Sequence, residues 1–273
     1  MQFDRQQRLS IRNLALTAIL MTAAGLLAPA VFAHPEDEFC VPGEGSLDPE
    51  LCAALAALDN PDATAEQLAP ILDAQGNVRG VWSTVGLYVT IGIRHILPAG
   101  LDHILFVLAL FLSSTRLRAL VIQISTFTVA HTATLGLAAA GVISPSPAIV
   151  EPLIAATIAF VAIENLVLDD MPKWRPAVVF LFGLLHGLGF AGFFGELGLP
   201  PGQFWSALIG FNVGVEIGQL SVICLAFVVA LHIRRRLEAK EKPTAYRRFV
   251  VLPASGLIGF VGLWWTVTRL VNG

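Results

Sequence analysis

The chain has 273 residues, of which 55% are hydrophobic and 14% charged, with a mean hydropathy of +0.73. Soluble domains run at about 45–50% apolar and about 25% charged, so an ordinary soluble domain is excluded. A net charge of -3 leaves no basic footprint for nucleic-acid binding, and three cysteines are too few for a disulfide scaffold or a Cys-based zinc module. The expected class is all-α: a polytopic membrane helix bundle of six transmembrane spans behind a cleaved signal peptide.

Residues 1–33 have the form of a secretory leader. Arg5, Arg8 and Arg12 make a positive n-region, Leu14 to Leu27 an apolar h-region, and Val31-Phe32-Ala33 a cleavage site. Cleavage there makes His34 the mature N-terminus. An amine beside an imidazole is a chelating pair, so His34 is a candidate external metal ligand. Pro35 lacks a backbone N–H, which argues against a chelate through successive deprotonated amides.

Residues 34–80 form an acidic exported segment, with ten acids against one base, Arg79. Such a segment is either a vestibule that concentrates cations or a solvated spacer. Cys40 and Cys52 share this oxidising compartment and could pair.

Six apolar runs follow, at about 81–112, 118–141, 149–168, 175–197, 204–233 and 249–270. Each is long enough for a hydrocarbon core that takes about 20 helical residues to cross. Pro98 and Gly100 interrupt the first run, which must tilt, lie partly in the interface, or break. If it crosses once, Arg116, Arg118, Lys173, Arg175, Arg234, Arg235, Arg236, Lys240, Lys242, Arg247 and Arg248 all fall on one side. That satisfies the positive-inside rule. It puts the protein in the inner (plasma) membrane with both mature termini on the exported side.

Charged groups inside a bilayer cost at least about 2.5–3.5 kcal/mol each, so they need a reason. His95, Asp102 and His103 lie in the first run, Thr128 and His131 in the second, and Glu164 and Asn165 in the third. His186 lies in the fourth, within a Gly-rich stretch that lets a neighbouring backbone approach. Asn212, Glu216 and Gln219 in the fifth are spaced i, i+4, i+7, which is one helical stripe. The expected metal ligands are His95, Asp102, His103, His131, His186 and Glu216. Glu164, Asn165, Asn212, Gln219 and Thr128 are candidates for a path or for support around it. Imidazole and carboxylate suit Ni²⁺, Co²⁺, Zn²⁺, Mn²⁺ or Fe²⁺. Soft Cu(I) is disfavoured, because Met171 alone remains after the leader and Cys224 is the one cysteine in the spans. A proton path would use the same residue types.

Five motifs in order then carry a resemblance. They are Gly92-Ile-Arg-His95 through Leu101-Asp102-His103, Phe127-Thr-Val-Ala-His131-Thr, Ile163-Glu164-Asn165, Gly183-Leu-Leu-His186-Gly-Leu-Gly, and Phe211-Asn212 through Glu216-Ile-Gly-Gln219. Over about residues 81–232 the sequence resembles the HupE/UreJ family, of which it looks like a divergent branch. Six residues, Ile96 to Leu101, separate His95 from Asp102-His103, where the better-studied nickel members have five. The second histidine and the glutamate those members carry near the position of His186 are absent.

The resemblance implies a nickel or cobalt permease with the metal as substrate, and partners in a metalloenzyme maturation system. It makes His95, Asp102 and His103 the first metal-handling motif and puts His186 in the second. The expectation is therefore a divalent-metal permease and no enzyme. No G-x-x-x-x-G-K-[ST] run is present for a nucleotide, so a gradient would drive it. The competing readings are a membrane accessory or assembly protein and an intramembrane metalloenzyme; the latter lacks an H-E-x-x-H signature.

Overall fold

The computed structural model describes residues 80–114, 116–168, 171–190, 203–238 and 245–272. The expectations for the leader, the acidic segment up to Arg79, His34, and Cys40 with Cys52 lie outside these residues. Every regular element among the described residues is helical.

The first apolar run folds as two helices, α1 (Val81–Ile96) and α2 (Leu101–Ser113), bent by 71° relative to each other. The sequence explains the break. Leu97 is extended, with φ -124° and ψ 117°, as a residue before proline is pushed to be. At Gly100 a Cβ would collide with the carbonyl of His95, so only glycine closes the corner. Of the three options open for this run, the break is the one adopted. His95 and Asp102 therefore do not share one continuous helical face.

α3 (Leu117–Ala139) ends in a Schellman motif at Gly141, whose φ is 69°. The N–H of Val142 donates to the Leu137 carbonyl and that of Gly141 to Ala138, each at 2.9 Å. α4 (Pro147–Val167) opens on a proline at its first position, where the missing N–H costs nothing. α5 (Arg175–Gly189) has Pro176 in its first turn. α6 (Phe204–Glu238) runs for 35 residues. A single π-helical turn (Arg247–Val251) leads into α7 (Leu252–Asn272).

Small residues decide which helices pair. A Cβ on Gly210 would strike the Val85 carbonyl, one on Gly214 the Val89 carbonyl, and one on Gly218 the Ile96 side chain. These contacts advance together along both chains, so α1 and α6 are parallel. Gly183 lies against the Phe127 carbonyl and Gly187 against that of His131, which makes α3 and α5 parallel as well. Gly259 and Gly262 meet Ala162 and Ala159 in the opposite sense, so α4 and α7 are antiparallel. This is small-residue packing of the kind that holds helices together without water. Large apolar side chains such as Val129, Leu181, Ile209, Leu225 and Phe260 face outward, as lipid requires.

α3, α4, α6 and the π turn with α7 are each long and apolar enough to cross a bilayer, and the bent α1–α2 pair makes a fifth candidate. The expected count of six is not reached among the described residues. α5 has 15 residues, and the rest of its apolar run lies outside them.

Candidate functional site

The bend between α1 and α2 puts His95 at the end of one helix and His103 in the first turn of the next. Their ring centroids are 4.8 Å apart. α3 brings His131, with its ring 5.9 Å from that of His103, and α5 brings His186, at 5.1 Å from the same ring. All four imidazoles are buried. His95, His103 and His131 each offer a nitrogen within 4.8 Å of the other two. An ion bonded to imidazole at about 2.0–2.1 Å spans nitrogens up to about 4.2 Å apart. Closure by a fraction of an ångström would therefore complete a three-nitrogen site.

The tautomers of two rings follow from their partners. The amide of Asn212 donates to the Leu208 carbonyl at 2.8 Å, which leaves its oxygen facing His131 Nδ1 at 3.0 Å. Nδ1 of His131 must carry the proton. His186 Nδ1 lies 2.9 Å from the Phe182 carbonyl, which can only accept. In both rings the lone pair is thus on Nε2. The Nε2 atoms of His103, His131 and His186 are buried and have no hydrogen-bond partner. Buried polar atoms are normally satisfied, and an unmade bond costs about 1–3 kcal/mol. Three such atoms within one cluster are a standing cost that a cation would remove.

Aromatic rings close the cluster off from water. Phe190 lies 4.1 Å from His95, Phe127 4.9 Å and Phe106 5.2 Å from His186, and Phe211 5.5 Å from His95, centroid to centroid. Water exclusion strengthens any ion–ligand attraction inside.

The carboxylates are placed differently. Asp102 is held by Arg269 of α7, with Nη1 and Nη2 at 2.9 and 3.3 Å from its two oxygens. Glu216 accepts from Ser125 Oγ at 2.7 Å and from the Thr128 hydroxyl, and Gln219 Oε1 lies 3.3 Å from that same hydroxyl. This group sits one helical turn from His131 and Asn212 along both α3 and α6, so a polar ladder leads from the cluster toward the arginine-rich end of α6. Glu164 is at the far end of α4, where Arg175 Nε donates to it at 2.7 Å and the same guanidinium reaches the Asn165 oxygen at 3.2 Å. Asn165 in turn donates to the Ala109 carbonyl at 2.7 Å.

Of the six residues expected as metal ligands, the structure gathers His95, His103 and His131, with His186 alongside. Asp102 and Glu216 sit outside that group in bonds of their own. Thr128, Asn212 and Gln219 support the cluster and the ladder, while Glu164 and Asn165 belong to the opposite end of α2. Sequence reasoning missed Arg175 and Arg269 as partners and the phenylalanine shell. Arg269 had a signal: it is an arginine in the last turn of an apolar run, at the end opposite the other basic residues.

No curated protein and no solved structure matches the chain. The family model described as HupE / UreJ protein matches residues 73–269, from just before α1 into the last turn of α7. That match spans most of the chain and reaches every helix described, so the chain belongs to the HupE/UreJ family.

Proposed function

We propose that the protein is a membrane permease for a divalent transition-metal ion, nickel or cobalt, and that the ion exchanges its water for the imidazoles of His95, His103, His131 and His186. HupE/UreJ proteins are generally nickel or cobalt transport proteins or urease accessory proteins of the membrane. The observation that carries the reading is the set of Nε2 atoms on His103, His131 and His186 that have no partner. Borderline cations of this size take neutral imidazole readily. The ion is substrate, so a site that binds through a few imidazoles and lets go suits it better than a closed cage.

In this reading Asp102, beside the cluster and paired with Arg269, meets the cation at the exported side. Glu216 with Thr128, Ser125 and Gln219 forms the next stop toward the arginine-rich end. The alternation of helix directions supports six crossings, and the basic residues gathered on one side support an inner-membrane orientation with both mature termini exported. The ion gradient, the membrane potential or proton exchange supplies the energy, and no enzymatic step is involved.

The test is metal flux into vesicles carrying the purified full chain, with nickel, cobalt and zinc compared. Saturable entry of nickel or cobalt, abolished by His103→Ala in a variant that folds and inserts normally, is expected. Absence of flux for all three metals would overturn the proposal. A second reading, a membrane accessory protein, draws on the hydrogen bonds through which Arg175, Glu164, Asn165 and Ser255 tie helices together. It predicts loss of the protein itself, rather than loss of flux, when histidines are removed.

A further inference from the structure

The far end of α2 borders a second polar space, separate from the imidazole cluster and independent of the permease reading. A cavity of about 210 Å³ lies where the ends of α2, α4 and α6 meet the starts of α5 and α7. One water needs only about 10–15 Å³ by this kind of measure, so a larger polar group fits. Its polar lining includes Ser113, Glu164, Arg175, Arg234, Tyr246 and Arg247, which sets three guanidiniums against one carboxylate among the described residues.

Arg175 is the firmest of these. It is 2% exposed and gives Nε to Glu164, yet its Nη1 has no hydrogen-bond partner. Arg247 is anchored on the end of α4, donating to the carbonyls of Asn165 at 3.4 Å and Leu168 at 3.1 Å. Arg234 stands 6.0 Å from the centre of the Tyr246 ring. The cavity is thus a fixed basic wall with a buried donor on it. A guanidinium presents its donors in a fork that fits phosphate oxygens. Basic pockets between membrane helices are where anionic headgroups settle.

We propose that this cavity binds a phosphate group, supplied by an anionic lipid headgroup or by free phosphate. Arg175 Nη1 and the guanidiniums of Arg234 and Arg247 hold its oxygens. Glu164 adds a selective element. Its Oε1 is buried and accepts no hydrogen bond, so it favours a ligand with a hydroxyl next to the phosphate. The headgroup glycerol of phosphatidylglycerol and the acidic proton of hydrogen phosphate both meet that need, whereas phosphatidylcholine does not.

The test uses the full chain in a neutral, phosphate-free detergent. Thermal unfolding and native mass spectrometry are followed with phosphatidylglycerol, phosphatidylcholine or inorganic phosphate added. Phosphatidylglycerol should raise the unfolding midpoint and remain bound at one copy. Arg234→Gln, on an exposed helix face, should weaken this about fivefold, the usual worth of one basic contact to an anionic headgroup. Arg236→Gln, also exposed and outside the cavity lining, should not weaken it. Protection by inorganic phosphate without phosphatidylglycerol, lost in the same variant, would assign free phosphate as the source. Equal protection by phosphatidylcholine, or equal protection of the Arg234→Gln variant and the unaltered chain, would overturn the inference.

Discussion

Around the first turn of α2, the Nε2 atoms of His103, His131 and His186 stand in a phenylalanine-lined space without partners. Toward its other end, Glu164 and Arg175 face the same low-dielectric interior but hold each other, and Arg175 also donates to Asn165. Both regions bury polar atoms that lipid and protein penalise. The second region balances its charges from within, a carboxylate against a guanidinium, with Arg175 Nη1 and Glu164 Oε1 left unbonded beside the cavity. That ion pair serves as a joint between α4 and α5. The imidazole cluster is preorganised and short of a partner, which is what a transient cation site requires.

The sharpest way to break this contrast is to remove a ring from the cluster. His103→Ala or His131→Ala should cut nickel affinity roughly a hundredfold or more, above the about 10–100-fold that outer-shell partners are worth. Equilibrium dialysis would measure it. His103→Phe, which fills the vacated volume and removes the unsatisfied Nε2, should lose the same affinity at nearly level thermal stability. Loss of stability in that variant as well would mean that the rings are structural cement.

The opposite signature is expected for Glu164→Gln. It leaves the buried Arg175 guanidinium without its counter-charge, a change that costs about 3–5 kcal/mol. Unfolding in detergent should show that loss. Replacing both partners by apolar residues, Glu164→Leu with Arg175→Met, should recover most of it. If Glu164→Gln instead removed metal flux at unchanged stability, Glu164 would belong to the path and the contrast would collapse.

Asn212→Ala tests the tautomer argument at smaller amplitude. Without the Asn212 oxygen, Nδ1 of His131 loses the acceptor that fixes its proton. Metal affinity should fall about 10–100-fold. Asn212→Asp, which keeps an acceptor there, should restore most of it. A variant indistinguishable from the parent would show that His131 needs no orienting partner.

How far the sequence could foresee this arrangement follows from which interactions are local. Helix positions were legible because apolar runs of about 20 residues and their prolines are local signals. The stripe of Asn212, Glu216 and Gln219 was legible for the same reason, and it does face Thr128 of α3. The histidines could be singled out by cost alone, since four imidazoles in lipid need an explanation. Pairing was not legible. Asp102 and Arg269 are 167 positions apart, and nothing in either neighbourhood names the other. Arg175 read as a topology signal because basic residues near span ends usually are one, yet its side chain is buried against Glu164. The corner at Pro98 was readable as an interruption, but its 71° bend depends on α6 receiving the first half and α4 the second.

The Asp102–Arg269 pair lies between the two regimes, and it predicts the smallest effects. Its side chains are 24% and 19% exposed, and the guanidinium also reaches the Glu151 carbonyl at 3.3 Å. Partly solvated pairs contribute about 0–1 kcal/mol, so Arg269→Gln and Asp102→Asn should each leave the unfolding midpoint nearly unchanged. Their effects on nickel affinity should be opposite in sign. Asp102 adjoins His103 in the chain, so removing the cation of its pair should tighten metal binding about threefold, while removing the carboxylate should weaken it by a similar factor. Raising the salt concentration should shrink both changes, because screening acts on partly exposed charges first. Shifts of the same sign in the two variants would mean that the pair fixes the position of α7 rather than the field at the cluster.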